Sequence, residues 1–176
     1  MESFERMYSM ILESPAIVIF LVFALLLVNY LFNRNAIKKK KYILEKITQS
    51  DDDVSLDVKV AHSSRTFGAA RVSWHRAEII FSRNTIFYFA YSKLGPIRIY
   101  KNVMQLYIPG VNLQEQLVKD KFAPIQSIKF IKDKVIIKFA WSSPLIKSTL
   151  TLKGIDHEDT IQAIKKQLDL DALQPM

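Results

Sequence analysis

Three patterns of apolar and polar positions follow one another along the chain. From Pro15 to Phe32 nearly every residue is apolar, and Asn29 is the only clearly polar one. From Val54 the period changes to two. In VSLDVKV, Val54, Leu56, Val58 and Val60 take one face while Ser55, Asp57 and Lys59 take the other, the mark of a half-buried strand. AEIIFSRNTIFYFAY predicts two strands around the turn Ser82-Arg83-Asn84. PIRIY and VMQLYIP predict two more short strands, set off by SKLGP with its Gly95 and Pro96. GVNLQEQLVKDKFAP breaks the alternation and reads as a loop with a helical turn. Alternation resumes in IQSIKFIKDKVIIKFAW, a hairpin turning at Lys132-Asp133, and IKSTLTL is a further strand closed by Gly154. From Asp156 the spacing becomes helical, with Ile161, Ile164, Leu168 and Leu170 on one face. Asp156 reads as the N-cap, with acids in the first turn and Lys165 and Lys166 further on, as the helix dipole favours.

The order predicts a mainly β protein with one N-terminal transmembrane helix. An antiparallel β-roll of about seven strands over residues 54–171 is capped by the C-terminal helix. Ahead of it lie a short N-terminus (1–9), the span (10–33) and a basic juxtamembrane linker (34–53), and a tail (172–176) follows. The eighteen residues from Pro15 to Phe32 make a helix of about 27 Å at about 1.5 Å per residue, close to the hydrocarbon thickness of a bilayer. Met10, Ile11 and Leu12 extend it by a turn. Pro15 stands where a missing amide donor costs little. Tyr30 and Phe32 stand where aromatic rings favour the interface. A cleaved signal peptide needs a basic start and a small-residue cleavage site. This start is acidic, and VNYLFNRN has no such site.

Charge adds a direction. The first 33 residues carry Arg6 against Glu2, Glu5 and Glu13, a net of −2; the rest carry the other 24 basic and 14 acidic residues, a net of +10. Arg34, Lys38, Lys39, Lys40, Lys41 and Lys46 follow the span directly. Basic flanks stay on the cytoplasmic side, so the expected topology is N-terminus outside and roll inside, in the inner membrane. The same six side chains are candidate membrane-surface residues, each contributing about 1 kcal/mol toward anionic head groups when near the surface; the alternative is that they set topology and recognise nothing.

Catalytic signals are thin. There is no cysteine, which removes disulfides, thiolate zinc sites and cysteine nucleophiles. His62, His75 and His157 lie far apart in the chain. HEDTI begins like a zincin helix, but Ile161 stands where the second ligand would fall. Asp51, Asp52 and Asp53 lack the spacing, glycine and closing glutamate of a calcium loop and read as a solvated turn. His75, Arg76 and Glu78 offer a polar cluster, but strand neighbours point to opposite faces, which favours exposed strand residues. Trp74 and Trp141 read as core or edge packing residues, with insertion into the lipid interface as the alternative. No glycine-rich phosphate loop or nucleophile elbow occurs, and no recognition helix accompanies the basic residues. The expectation is a non-enzyme without cofactor, metal or nucleic-acid partner.

The hairpins HRAEIIFSRNTIFYFAYSKLGPIRIYK and SIKFIKDKVIIKFAW and the terminal helix DHEDTIQAIKKQLDL together resemble, over roughly residues 54–170, the bacterial pleckstrin-homology-like domains, a family related in fold to GRAM modules. The resemblance implies a strongly bent seven-stranded roll sealed at one end by the helix. Many eukaryotic pleckstrin-homology domains bind phosphoinositides through basic residues on and between the first two strands. Lys59, Arg65 and Arg71 occupy the comparable region and are the candidate anionic-ligand residues that the resemblance implies. The expected function is a single-pass, membrane-anchored module on the cytoplasmic face that binds anionic lipid head groups or a protein partner. The alternative is an assembly subunit of a larger membrane complex, for which Asn29 offers an interhelical hydrogen bond, although placement at the interface explains Asn29 equally well. A basic, otherwise plain sheet face favours the first; an exposed apolar patch or an open strand edge favours the second.

Overall fold

A computed structural model describes residues 15–47, 53–66, 69–111, 115–119, 121–141 and 146–170. The proposed start of the span, the turn at Asp51-Asp52 and the tail lie outside these residues. The chain divides into two compact units, Met1–Asn35 and Ala36–Met176.

Helix α1, Pro15–Ile47, begins in the first unit. Its apolar stretch has a mean hydropathy of 2.6 over eighteen residues, none of them buried within the protein. Ile19, Phe20, Phe23, Leu25 and Leu26 are all more than half exposed. A helix satisfies its own backbone groups, so such a stretch meets the requirement for crossing hydrocarbon. By length and composition it is long and apolar enough to cross a membrane.

The second unit is a ring of seven strands: β1 (Val54–Thr66), β2 (Ala69–Ser82), β3 (Thr85–Leu94), β4 (Ile97–Tyr107), β5 (Phe122–Ile131), β6 (Lys134–Ala140) and β7 (Lys147–Lys153). Each strand pairs with the next, and β7 closes the ring on β1. All pairings are antiparallel except β4 with β5, which run parallel over Gln105–Tyr107 and Phe122–Pro124. Buried Gln105 holds this junction. Its amide donates to the Glu115 carbonyl at 3.1 Å, and its side-chain oxygen accepts from Leu117 N at 2.8 Å and Val118 N at 3.1 Å. A loop that cannot join a ladder thus still finds partners for its backbone. Residues 115–119 carry no helical turn.

Of the face that alternation gives β1, Val58 and Val60 are buried in the core and Val54 and Leu56 are partly buried against it; Ala77, Ile79, Phe81, Ile86, Tyr88, Met104, Leu106, Ile137, Leu150 and Leu152 complete the core. The β2–β3 hairpin turns through Arg83 (φ 40°) and Asn84 (φ 64°), the pair of positive φ values that matches strand twist in a two-residue turn. PIRIY and VMQLYIP are not two strands but one. The register shifts between Ala90, opposite Asn102, and Tyr91, opposite Tyr100. Lys101 is the extra residue, a bulge that changes which face the side chains take without ending the strand.

Helix α2, Glu158–Gln167, closes one end of the ring. Ile164 and Leu168 are buried in the core with Ile161 and Leu170 against it. The Asn84 amide donates to Gln167 O at 2.8 Å, and the Arg83 amide to Gln167 Oε1 at 3.2 Å, tying the cap to the β2–β3 turn. The N-cap is His157 rather than Asp156, and its side chain makes no capping bond. Glu158 and Asp159 in the first turn supply the charge that the dipole favours.

A second cluster lies outside the ring. Residues 36–47 of α1 belong to the roll's own unit, and there Ile43 and Ile47 are buried with Ile80, Phe87, Phe89, Tyr91, Tyr100 and Val103. The outer faces of β2, β3 and β4 are therefore covered by the basic stretch that follows the apolar run.

Candidate functional site

On β1 the odd positions point outward, and on β2 the even ones do, because Asp57 pairs with Glu78, Lys59 with Arg76 and Ala61 with Trp74. This register gathers charge that is scattered along the sequence. The Tyr91 hydroxyl donates to Asp57 Oδ1 at 2.6 Å, Arg98 to Asp57 Oδ2 at 3.0 Å, and Arg76 Nε to Asp57 Oδ1 at 3.4 Å. Glu78 accepts from Lys40, from Arg98 and, at 2.9 Å, from the Tyr100 hydroxyl. Burial works to raise the pKa of Asp57. The Tyr91 hydrogen bond and the Arg76 and Arg98 charges outweigh it and leave the carboxyl below its usual value. Burial and the Asp57 carboxylate push the Tyr91 hydroxyl up to about 12. Arg76 and Glu78 are therefore partners in a network, not the plain exposed residues that the sequence suggested. Cations and carboxylates face each other throughout, so this cluster has its counter-ions already.

The neighbouring face differs. Lys59 pairs with Arg76 on one side and with Lys153 on the other, and Lys153 pairs with Lys134. Four cations thus stand in register across β2, β1, β7 and β6. Arg76 has Asp57, and Lys134 has Asp133 at 3.9 Å. Among the described residues no ion pair involves Lys59 or Lys153. Lys153 Nζ lies 4.2 Å from the centroid of the Trp74 ring, and Trp74 is 62% exposed. Trp74 is a surface residue, not the packing residue expected. Trp141 does pack, half-buried on Phe139, with its Nε1 donating to Ser148 Oγ at 3.2 Å. Lys138, Lys147 and Arg65 extend the basic face, with Arg65 directly opposite Lys147. Like charges directly across a sheet are destabilising, by a few tenths of a kcal/mol to about 1 kcal/mol.

Of the three residues taken from the first two strands, Lys59 and Arg65 share the outward face, six positions and about 20 Å apart at strand rise. Arg71 opposes Ser64 and so falls on the other face. The structure does not bring the three together. Lys59's true neighbours, Arg76, Lys153 and Lys134, went unread because strand order is not written in a single strand. The alternation of KSTLTLK does place Lys147 and Lys153 outward, and that part was legible. Of the basic residues after the apolar run, Arg34, Lys38, Lys39 and Lys41 are exposed. Lys46 lies 3.9 Å from Glu115, and Lys40 turns inward to Glu78 and to the Tyr100 hydroxyl at 2.8 Å.

The end of the ring away from α2 gathers polar side chains. His62, Ser73, His75, Tyr88, Asn102 and the cation Lys101 are among those that line a cavity of about 310 Å³, together with Trp74 and Ala90. His62 stacks on Phe139 at 6.1 Å, and its buried Nε2 has no hydrogen-bond partner. His75 Nε2 is hydrogen-bonded to the Tyr88 hydroxyl. Burial lowers the His62 pKa, and burial with the His62 and Lys101 charges lowers that of His75. Sequence distance hid this pair, although continuing the inward alternation through Val60 and Ala77 points to His62 and His75.

No family model, curated protein or solved structure matches the chain. The fold and its faces therefore define the class: a seven-stranded ring capped by a helix, with one apolar helix of membrane-crossing length.

Proposed function

We propose that the chain is a single-pass, non-enzymatic membrane protein whose roll is a pleckstrin-homology-like module in the cytoplasm. In this reading the β1–β7–β6 face binds anionic lipid head groups. The observation that carries it is the row of in-register cations with no acid between Lys59 and Lys153. A fold that tolerates this repulsion gains when anions bind across it. The balanced Asp57–Glu78 network beside it has no such need. Trp74 next to Lys153 supplies an amphipathic ring of the kind enriched at interfaces. The net +10 of residues 34–176 draws the same partner over longer range.

The test uses the full chain in nanodiscs with Trp141→Phe, which leaves Trp74 as the only tryptophan. Head-group spin labels should quench Trp74 in phosphatidylglycerol discs at low salt and much less at high salt, where the Debye length shrinks to about 3 Å at 1 M. Lys59→Gln with Lys134→Gln leaves Lys153 under the reporter ring and should abolish the salt-sensitive quenching. Equal quenching in neutral and anionic discs would sink the reading.

A further inference from the structure

β2 pairs with β1 along nearly its whole length, from Ala69 to Phe81, but with β3 only from Arg76 to Ser82. Past Tyr91, β3 continues to Leu94 paired with β4 alone. Among the described residues, β2 from Ala69 to His75 therefore has a strand on one side and none on the other. An open edge presents a row of backbone donors and acceptors to another chain. Two cavities flank this gap, one on each side of the missing strand. The inner one is the polar cavity of about 310 Å³ described above. The outer one, of about 430 Å³, is lined by Lys59, Trp74, Arg76, Tyr91, Ser92 and Lys93. Both touch Trp74, His75, Tyr91 and Ser92, the residues that frame the gap.

We propose that this gap is a docking site for an extended acidic segment of a partner protein, which adds a strand to the open edge of β2. Strand side chains alternate between faces, and the two cavities specify what each face takes. Outward positions meet Lys59 and Lys93, neither in an ion pair among the described residues, and call for aspartate or glutamate. Inward positions meet the His62 and His75 rings, hydroxyls, the Asn102 amide and, at the rim, Lys101, with His62 Nε2 unpartnered, and call for a small hydroxyl or amide side chain. Hydrogen bonds along β2 supply affinity, and the alternation supplies specificity. The site shares Lys59 and Trp74 with the lipid face but draws on Lys93 rather than Lys134 or Lys138, so variants at those positions tell the two apart.

The experiment places the full chain in neutral nanodiscs, where the lipid reading is silent. It measures fluorescence anisotropy of a labelled heptapeptide of alternating glutamate and threonine. The alternating peptide should bind. A version N-methylated at every second residue should bind about tenfold more weakly, the loss expected when one or two backbone hydrogen bonds are blocked. Lys93→Glu should weaken the glutamate peptide and favour its lysine counterpart. Hydrogen exchange supplies a readout independent of any variant: the alternating peptide should slow amides within residues 71–75. The proposal is overturned by absent binding or by equal binding of the N-methylated peptide. A block-ordered peptide of the same composition binding equally well, or a response that requires Lys134 and Lys138 instead of Lys93, overturns it too. The last outcome would mark charge attraction at the lipid face.

Discussion

Over β2, β3 and β4, Lys40, Arg76 and Arg98 stand against Asp57 and Glu78, and the last turns of α1 cover the sheet beside them. Over β1, β7 and β6, Lys59, Lys153 and Lys134 stand in register with no such cover among the described residues, beside an exposed Trp74. Both faces are rich in cations. The first has matched every cation to a carboxylate, so its charges join one part of the chain to another. The second has matched few, so its charges are available to something outside the chain. Basic residues alone therefore say little about ligands; what their neighbours do with the charge decides.

The largest test of this contrast is the cover itself. Ile43→Ala should destabilise the roll by about 2–4 kcal/mol, as truncation of a buried isoleucine does, because Ile43 is 1% exposed among Phe87, Phe89 and their neighbours. Trp74→Ala on the open face removes a larger side chain and should cost well under about 1 kcal/mol, as surface changes do. Urea unfolding of the full chain in detergent, followed by near-ultraviolet circular dichroism, compares the two. Equal losses would mean that the open face is packed against something in the folded chain.

The Asp57 network gives a smaller effect with a pH signature. Asp57→Asn should cost about 1 kcal/mol near neutral pH, the scale of a charge-assisted hydrogen bond in a partly exposed setting. Folding lowers the Asp57 pKa below its ordinary 3.8. Below that value the unfolded chain takes the proton first, so the contribution is full above about 3.8 and lost as pH falls through the folded value. The gap between wild type and Asp57→Asn should therefore narrow on acidification. A gap that stays constant down to strongly acidic pH would remove Asp57 from its charged role.

Much of the fold was legible because its signals are local. Alternation located the strands, Gly95, Gly154 and Ser82-Arg83-Asn84 located the turns, and Ile161, Ile164 and Leu168 located the capping face. Several features escaped for equally physical reasons. The bulge at Lys101 looked like a break, because one extra residue reverses the apolar parity of a strand that continues. His157 stands at the cap without a side-chain bond, which no capping preference foretells. The candidate site was less legible than the fold. Lys59 meets Lys153 only when the first and last strands close the ring, and Lys40 left the basic run for Glu78 only because the fold placed a carboxylate there.

The smallest effect is also the one whose sign separates the two faces. Removing a cation from the balanced network unmatches a carboxylate and should cost stability. Removing one from the in-register row relieves repulsion instead. Lys59→Gln should stabilise the isolated protein by a few tenths of a kcal/mol, about the scale of one cross-strand like-charge contact, while reducing attachment to anionic bilayers. Ionic strength distinguishes this from a propensity effect. Repulsion between exposed lysines is screened, so the gain should fade in about 1 M salt, whereas a change in strand preference would persist. A loss of stability at low salt would place Lys59 in the balanced class and leave the β1–β7–β6 face without its argument for an external anion.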